Sequence, residues 1–377
     1  MIKKHIHIIA FDIPYPANYG GVIDVYHKLR MLHQNDIRIT LHCFQYREKK
    51  TSQELEFLCD KVYYYKRKTG IFSNLSSLPY IVKSRKNQGL IENLLKDNDP
   101  ILFEGKHCCF YLNDTRLKNR LKIVRPCNVE YDYYRGLFKV EKNFWKKIFF
   151  YIESLRLKKF QKRLKKADII LPISEKDTLY FKKLYPEKRV EYLPAFHPYS
   201  DFDIKTGSGE YVLYHGKLSV PENENAVVFL VKEVFSKEKD FPFVIAGSEP
   251  SKLLKDLCGK HKNITLIGSP TDEDLKRLIQ NAAVHLLYTF QPTGIKLKLL
   301  TVLFNGRFCV VNDKMLEGVG LKNVCLLANT PQEINMICRE LINKSFTERD
   351  KLQRIEKMKD LFSNQENVKR LLDFLSN

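Results

Sequence analysis

Lys296 and Lys298 stand at the mouth of an apolar run with helical spacing, 295–305, in the segment Phe290-Gln291-Pro292-Thr293-Gly294-Ile295-Lys296-Leu297-Lys298. Thr293 and Gly294 open that helix. A cation in a first helical turn opposes the macrodipole, so these lysines are better explained by a bound anion such as phosphate than by helix stability. Residues two apart point in different directions, so at most one of the pair aims at a shared ligand. Another lysine, Lys217, follows Gly216 at the end of the apolar run 211–214, where a cation can reach a phosphate. Asn223, next to Glu222, begins the next helical stretch, and an N-cap role accounts for it equally well. His215 reads as a structural histidine.

The N-terminal half offers a different set. Gly20 and Gly21 close the first loop, 12–21, just before the helical stretch 22–33. A glycine pair at a strand-to-helix junction lets backbone approach a ligand, and the helix start offers free N–H groups. The spacing is not GxGxxG, which counts against a dinucleotide-dependent dehydrogenase. Asn128 and Glu130 lie just beyond another strand, as an amide and a carboxylate that could bind sugar hydroxyls. A helix start with a first-turn acid explains them as well. The run 141–166 holds ten Lys and Arg against two acids, together with Trp145, Phe149, Phe150 and Tyr151. Its apolar residues are expected to be buried on the sheet and its basic ones to face an anionic membrane surface.

The elements that must position these residues alternate regularly. Apolar β-rich runs fall at 5–11, 37–44, 62–65, 101–104, 121–124, 168–173 and 190–193, with helical periodicity between several of them, including 140–166. The segment 194–210, rich in Pro, Gly, Ser and Asp, reads as a linker. The alternation then restarts, with strands expected at 211–214, 242–246, 264–267, 284–289, 308–311 and 324–328. Residues 346–375 read as a last helical stretch. This is an α/β pattern of two Rossmann-like doubly wound domains, with a ligand cleft expected between the carboxyl ends of their sheets. The expected domains are 1–197, 198–345 and a C-terminal helix, 346–377, packing back on the first.

Composition narrows the class. A chain of 377 residues with 44% hydrophobic and 29% charged residues is globular rather than disordered. It contains no apolar stretch long enough to cross a membrane, and its N-terminus reads as a strand rather than a signal peptide. Nine Cys without a CxxC pair point to reduced thiols and a cytoplasmic location. No metal-ligand spacing and no Asp-x-Asp motif stood out, so no metal and no cofactor are expected. The net charge is +20, of which residues 1–200 carry +18 and residues 201–377 only +2. One half therefore faces something anionic. Nucleic acid is the weakest candidate, because no recognition motif accompanies the charge.

Taken in order, these stretches resemble retaining glycosyltransferases of the GT-B fold, family four, of the bacterial surface-polysaccharide or lipid-linked glycan type. The resemblance spans nearly the whole chain. It rests on Pro14-x-Pro16 with Gly20-Gly21, and on Arg125-x-x-Asn128-Val129-Glu130 with Tyr133-Tyr134. Further on it rests on Gly216-Lys217-Leu218 with Glu222-Asn223, on Ala246-Gly247-Ser248, on Ile267-Gly268, and on the Gly294-Ile295-Lys296-x-Lys298 helix ending at Gly306.

The resemblance implies a nucleotide-sugar donor, a glycan or lipid-linked acceptor, and sugar transfer to a hydroxyl with retention and without a metal. Gly20 and Gly21 would approach the donor diphosphate or the acceptor. Lys217, in place of the usual Arg, would bind diphosphate, helped by Lys298 and Lys296. Gly268 and Ser269 would lie near the base, and Gly294 and Ile295 would present backbone N–H groups to the donor. Peripheral attachment to the inner face of the cell membrane is a further expectation. Three positions depart from the family pattern: Cys127 replaces a His, Gln291 replaces a Glu, and where a second Glu is usual stands Thr301 when the helix is anchored on Gly306 or Leu299 by fixed spacing, neither of them acidic. These departures keep open a weakly active or inactive sugar-nucleotide-binding relative; a nucleotide-sugar epimerase of the same fold is a further alternative.

Overall fold

The computed structural model describes residues 4–45, 51–70, 76–141, 143–237, 240–291 and 297–375. The chain divides into two compact units, residues 1–198 with 362–377, and residues 199–361. The division falls inside the expected linker 194–210.

Unit 1 is built on seven strands: β1 (His5–Ala10), β2 (Arg38–Gln45), β3 (Lys61–Lys66), β4 (Ile101–Glu104), β5 (Lys122–Arg125), β6 (Ile169–Ile170) and β7 (Arg189–Val190). All pair in parallel, in the order β3-β2-β1-β4-β5-β6-β7. Strands buried on both faces explain why they read as apolar runs rather than alternating ones. Ile8, Leu102, Ile123 and Ile169 point to one face, where they meet Val25, Leu29 and Leu32 of helix α1 (Gly20–Gln34) and Val368 and Leu371 of the helix Asn364–Phe374. Ile9, Phe103, Val124 and Ile170 point to the other, against Leu157, Phe160 and Phe181.

Unit 2 carries β8 (Val212–His215), β9 (Phe243–Gly247), β10 (Ile264–Gly268), β11 (Val284–Leu287), β12 (Phe308–Val311) and β13 (Leu326–Leu327), again all parallel, in the order β10-β9-β8-β11-β12-β13. Val212, Tyr214, Phe243, Ile245, Leu286 and Val310 form its larger apolar layer with Val227, Val231, Leu254 and Ile334. In both units the strand order reverses beside the first strand, between β1 and β4 and between β8 and β11. Ligands of open α/β sheets bind at such points, outside the carboxyl ends of the strands.

Three expectations change. The stretch 346–375 is two helices, Glu348–Met358 in unit 2 and Asn364–Phe374 in unit 1. The second is fixed to unit 1 by a reciprocal pair: Asn364 Nδ2 donates to the His197 carbonyl at 2.7 Å, and its Oδ1 accepts from His197 N at 3.2 Å. The basic stretch is also interrupted. The helix Glu130–Val140 ends, and Asn143 caps a new helix, Phe144–Gln161, by accepting from Lys146 N at 3.1 Å. Lastly, the apolar residues of that helix are not all buried. Its inner face is Glu153, Ser154, Leu157, Phe160 and Gln161, while Phe144 (65% exposed), Trp145 (76%), Ile148, Tyr151, Ile152 and Leu155 face outward.

Candidate functional site

At the carboxyl end of the unit 2 sheet, the segment after β8 continues to pair with β9. Gly216 N donates to Ala246 O at 3.1 Å, and Leu218 N to Ser248 O at 3.0 Å. Gly247 makes this possible, because a Cβ on it would stand 1.8 Å from the Gly216 carbonyl oxygen. A Cβ on Gly216 would meet the Asn223 amide at 3.4 Å.

Asn223 is the hub of the site. Its Nδ2 donates to the Lys217 carbonyl at 2.9 Å, and its Oδ1 accepts from Lys298 Nζ at 3.0 Å. Tyr214 donates to the same Oδ1 at 3.3 Å, and the Lys298 ammonium lies 5.2 Å from the Tyr214 ring centroid. Asn223 therefore does not cap its helix, Pro221–Phe229, which has no side-chain cap. It links the two lysines named from sequence. Lys217 extends outward, 58% exposed, with Glu249 at 3.8 Å. Burial, and then the nearby carboxylate of Glu222, raises the Tyr214 hydroxyl far above its ordinary range, so it stays a neutral donor.

Two more loops line the same end. Ser269 N donates to Gly247 O at 2.8 Å, and Glu249 N donates to Ser269 Oγ at 3.3 Å. Glu249 and Ser269 both hold left-handed backbone, with φ of 55° and 52°. Gly268 lies against Pro250, where a Cβ would come within 3.2 Å. Beyond β11, Thr289 donates to Glu222 Oε1 and accepts from Gln291 N at 3.1 Å. Thr301 gives its hydroxyl to Leu297 O at 3.0 Å and accepts from Tyr199 at 2.7 Å. Thr293, Gly294, Ile295 and Lys296 lie outside the described residues.

His215 ends β8 beneath this site. It is fully enclosed and neither ring nitrogen has a partner. Burial, reinforced by the Lys298 charge, lowers its pKa to about 3, so it is neutral.

In unit 1, the segments after β1, β3, β4 and β5 border a cavity of about 360 Å³ lined by Phe11, Asp12, Tyr19, Arg67, Tyr80, Ile81, Arg85, His107, Tyr134 and Phe149. Tyr19 donates to Asp12 Oδ2 at 2.6 Å, and burial with this carboxylate lifts its hydroxyl pKa far up. Arg85 is spent on the fold, donating to Phe11 O and Ile81 O. Gly21 is the second residue of α1, where a Cβ would press 2.6 Å from the Phe11 ring, so close packing on the residue after β1 is a sufficient reason for this glycine. Gly20 is the first residue of α1, a helix with no side-chain cap and no acid in its first turn, which leaves its N-terminus able to attract an anion.

Asn128 is half-buried in the loop after β5, next to Cys127. Glu130 opens the following helix, is buried, and has an Oε1 with no partner. Burial raises its pKa to about 7, opposed by the charge of the buried Lys106, which donates to Gln161 Oε1 at 2.7 Å.

Under these loops lies a charge quartet that sequence reasoning missed. Asp24 of α1 accepts from Arg125 Nε and Nη2, both at 3.0 Å, and from Phe196 N at 2.7 Å. Lys28 bridges Asp24 at 3.4 Å and Glu104. Arg125 also donates to the carbonyls of Leu193 and Pro194, both at 2.9 Å. The only sequence signal was acids and bases within otherwise apolar elements.

The glycosyl transferases group 1 family matches residues 209–344, the segment that contains Lys217, Asn223 and Lys298. A relative from Klebsiella pneumoniae, named as an uncharacterized 44.6 kDa protein in cps region, is 28% identical over 358 residues, which cover 90% of each chain. Among solved structures, a UDP-forming α,α-trehalose-phosphate synthase of Burkholderia vietnamiensis superimposes with a TM-score of 0.65 at 10% identity, covering 100% of both chains. A TarM variant of S. aureus, solved with UDP and α-GlcNAc-glycerol, gives 0.65 at 11% identity, also covering 100% of both. Anabaena HepE, in complex with UDP and glucose, gives 0.64 at 12% identity over 99% of this chain and 100% of its own. Residues 209–344 are thus similar to the group 1 glycosyl transferases, and the two parallel α/β sheets of the chain are those of the GT-B fold.

Proposed function

We propose that the protein transfers a sugar from a nucleotide-diphosphate sugar to an acceptor hydroxyl of a surface polysaccharide or lipid-linked glycan. The observation that carries this reading is the Lys298–Asn223–Lys217 linkage at the carboxyl end of β8, inside the segment that matches the group 1 family. In this reading the lysine cations and the helix that Lys298 opens stabilise charge on the departing diphosphate. With lysine supplying that positive charge, transfer needs no metal, and retention of the anomeric configuration is what the resemblance to family four implies. Gly216 and Gly247 keep the strand ends flat for the diphosphate, while Gly268 and Ser269 sit by the base. Gly294, Ile295, Lys296 and Thr293 complete the donor contacts.

The acceptor reading assigns the unit 1 cavity to a glycan. Gly20 and Gly21 follow the lining residue Tyr19, Asn128 and Glu130 precede the lining residue Tyr134, and in this reading they serve the acceptor. A surface-polysaccharide acceptor agrees with the relative's place in a cps region. The outward stripe Phe144, Trp145, Ile148, Tyr151, Ile152 and Leu155, flanked by Lys146, Lys147, Lys158 and Lys159, suits an anionic membrane where lipid-linked acceptors lie. Among the described residues no helix is long and apolar enough to cross a membrane, so attachment by this stripe would be peripheral.

The test is donor turnover with EDTA present, the product anomer read by NMR, and Lys298→Ala as control. Acceptor-dependent formation of the donor's own anomer, lost in the variant, is expected. One observation favours a second reading. The Thr301 hydroxyl, which the resemblance sets, when anchored on Gly306, where related enzymes carry an acid, is committed to Leu297 and Tyr199. A protein that binds nucleotide-sugar without turning it over would show donor binding and no product.

A further inference from the structure

The opposite, amino end of the unit 1 sheet carries a group of side chains with no part in the reading above. His5 and His7 lie two apart on β1 and so point to one face. The loop 96–100, which leads into β4, brings Asp97 and Asp99 to the same place. One donor atom from each of the four lies within 4.8 Å of all the others. His5 Nδ1 faces Asp99 Oδ2 at 2.6 Å, and His7 Nε2 faces Asp97 Oδ2 at 3.0 Å.

The partners behind these atoms are arranged as they are around bound metals. His5 Nε2 is held by Thr40 Oγ1 at 2.9 Å. His7 Nδ1 is held by His42 Nε2 at 2.9 Å, and His42 Nδ1 in turn by the Tyr65 hydroxyl at 3.0 Å. Each imidazole thus turns one nitrogen to the common centre and has the other fixed by an internal partner, which orients the ring. Asp97 is held likewise. Its Oδ1 takes Arg120 Nη2 at 3.1 Å and Asp99 N at 3.0 Å, and both of its oxygens lie 3.0 Å from His7 Nε2, with Oδ2 bound by neither Arg120 nor Asp99 N. Arg120 is itself buried and holds the loop from behind through the carbonyls of Leu94, Asp97 and Asp99. The His7 amide donates to Pro100 O at 2.9 Å, fixing the loop to β1.

We infer that His5, His7, Asp97 and Asp99 form a binding site for a divalent transition metal, with Zn²⁺ as the fitting ion. Two imidazoles and two carboxylates suit four-coordinate zinc, whereas Mg²⁺ and Ca²⁺ favour all-oxygen sets. The ion would tie the loop 96–100 to β1. It lies at the other end of the sheet from the cavity at Asp12 and Tyr19, so it is a structural site that leaves a metal-free transfer step untouched. The sequence reading passed over Asp97-Asn98-Asp99 because nothing in the chain order shows it meeting His5 and His7.

The test uses the full chain without a histidine tag, stripped with chelator and then dialysed against Zn²⁺. Metal analysis is expected to find one equivalent bound, and Co²⁺ to give the intense visible absorption of a four-coordinate centre. His5→Gln with Asp99→Asn should abolish both, while circular dichroism of the metal-free variant stays that of the metal-free parent. His42→Gln, which touches no metal, should weaken Zn²⁺ binding by about 10–100-fold. Absence of bound Zn²⁺ in the parent, or uptake by the double variant equal to the parent's, as expected if free thiols were the ligands, overturns the assignment.

Discussion

Replacing Asp24 by Asn should cost unit 1 much of its stability. The quartet of Asp24, Glu104, Lys28 and Arg125 balances two acids against two bases in a site with almost no solvent access. Asparagine keeps the oxygen that faces Arg125 Nη2 and the Phe196 amide. It presents an NH₂ to Arg125 Nε and Lys28 Nζ, which donate to Oδ2 at 3.0 and 3.4 Å. Donors then face donors, and a net positive charge stays buried. Breaking a buried pair from one side costs about 3–5 kcal/mol. Hydrogen exchange reads this directly: amides of β1, β4 and β5 that exchange through full opening of unit 1 should speed up by roughly two to four orders of magnitude. Arg125→Met in the same chain removes the excess charge, so the double variant should be more stable than the sum of the single losses, by at least about 1 kcal/mol. A loss below about 1 kcal/mol for Asp24→Asn alone would refute the view that this quartet holds the exit segment 193–196 in place.

Three further outcomes follow from the geometry. His215 is held neutral in the fold with a pKa of about 3 against 6.5 when unfolded, so its contribution is intact above pH 6.5 and lost as pH falls toward 3. His215→Leu should remove roughly 2–3 kcal/mol of the stability loss seen between pH 6.5 and pH 4.5, measured by urea denaturation; an unchanged pH profile contradicts the assignment. Gly247→Ala should destabilise unit 2 by more than about 3 kcal/mol, because its Cβ meets backbone that cannot yield, while Gly136→Ala, with nothing within 4 Å, should stabilise its helix by about 0.5–1 kcal/mol in the same assay. Replacing Phe144, Trp145 and Tyr151 together by Ser should abolish sedimentation with anionic vesicles and leave the fold intact; equal binding of the parent to neutral vesicles would exclude the electrostatic part of that reading.

The alternation of apolar runs and helical stretches was legible because a parallel sheet buried on both faces leaves no ambiguity of register or side. The 101–104 and 308–311 strands are found as read, most others shift by a residue or two, and the runs 168–173 and 190–193 end three residues early, at Ile170 and Val190. The short helices Gln53–Leu58 and Tyr80–Lys83 were not visible, since six and four residues hold too little periodicity to detect. The 140–166 stretch reads as one helix because neither Pro nor Gly marks the break, which is made by the Asn143 cap alone. At the site, Lys217, Asn223 and Lys298 were named by their place at a strand end and at helix starts, and the fold links them through one amide. Tyr214 was hidden in an apolar run, and the quartet and the His–Asp group were hidden because their members lie up to 101 residues apart. Aromatic residues misled the reading of 141–166, since burial was inferred from residue type where the helix turns that face outward.

The most direct test of the donor reading is calorimetric binding of UDP, GDP, ADP and dTDP to the parent chain and to Lys298→Met, with the sugar and acceptor left out. The account predicts that at least one diphosphate binds the parent, and that the variant loses about 1.5–3 kcal/mol of that binding, the worth of one hydrogen bond to a charged group. No binding by any of the four, or equal affinity in parent and variant, would contradict it.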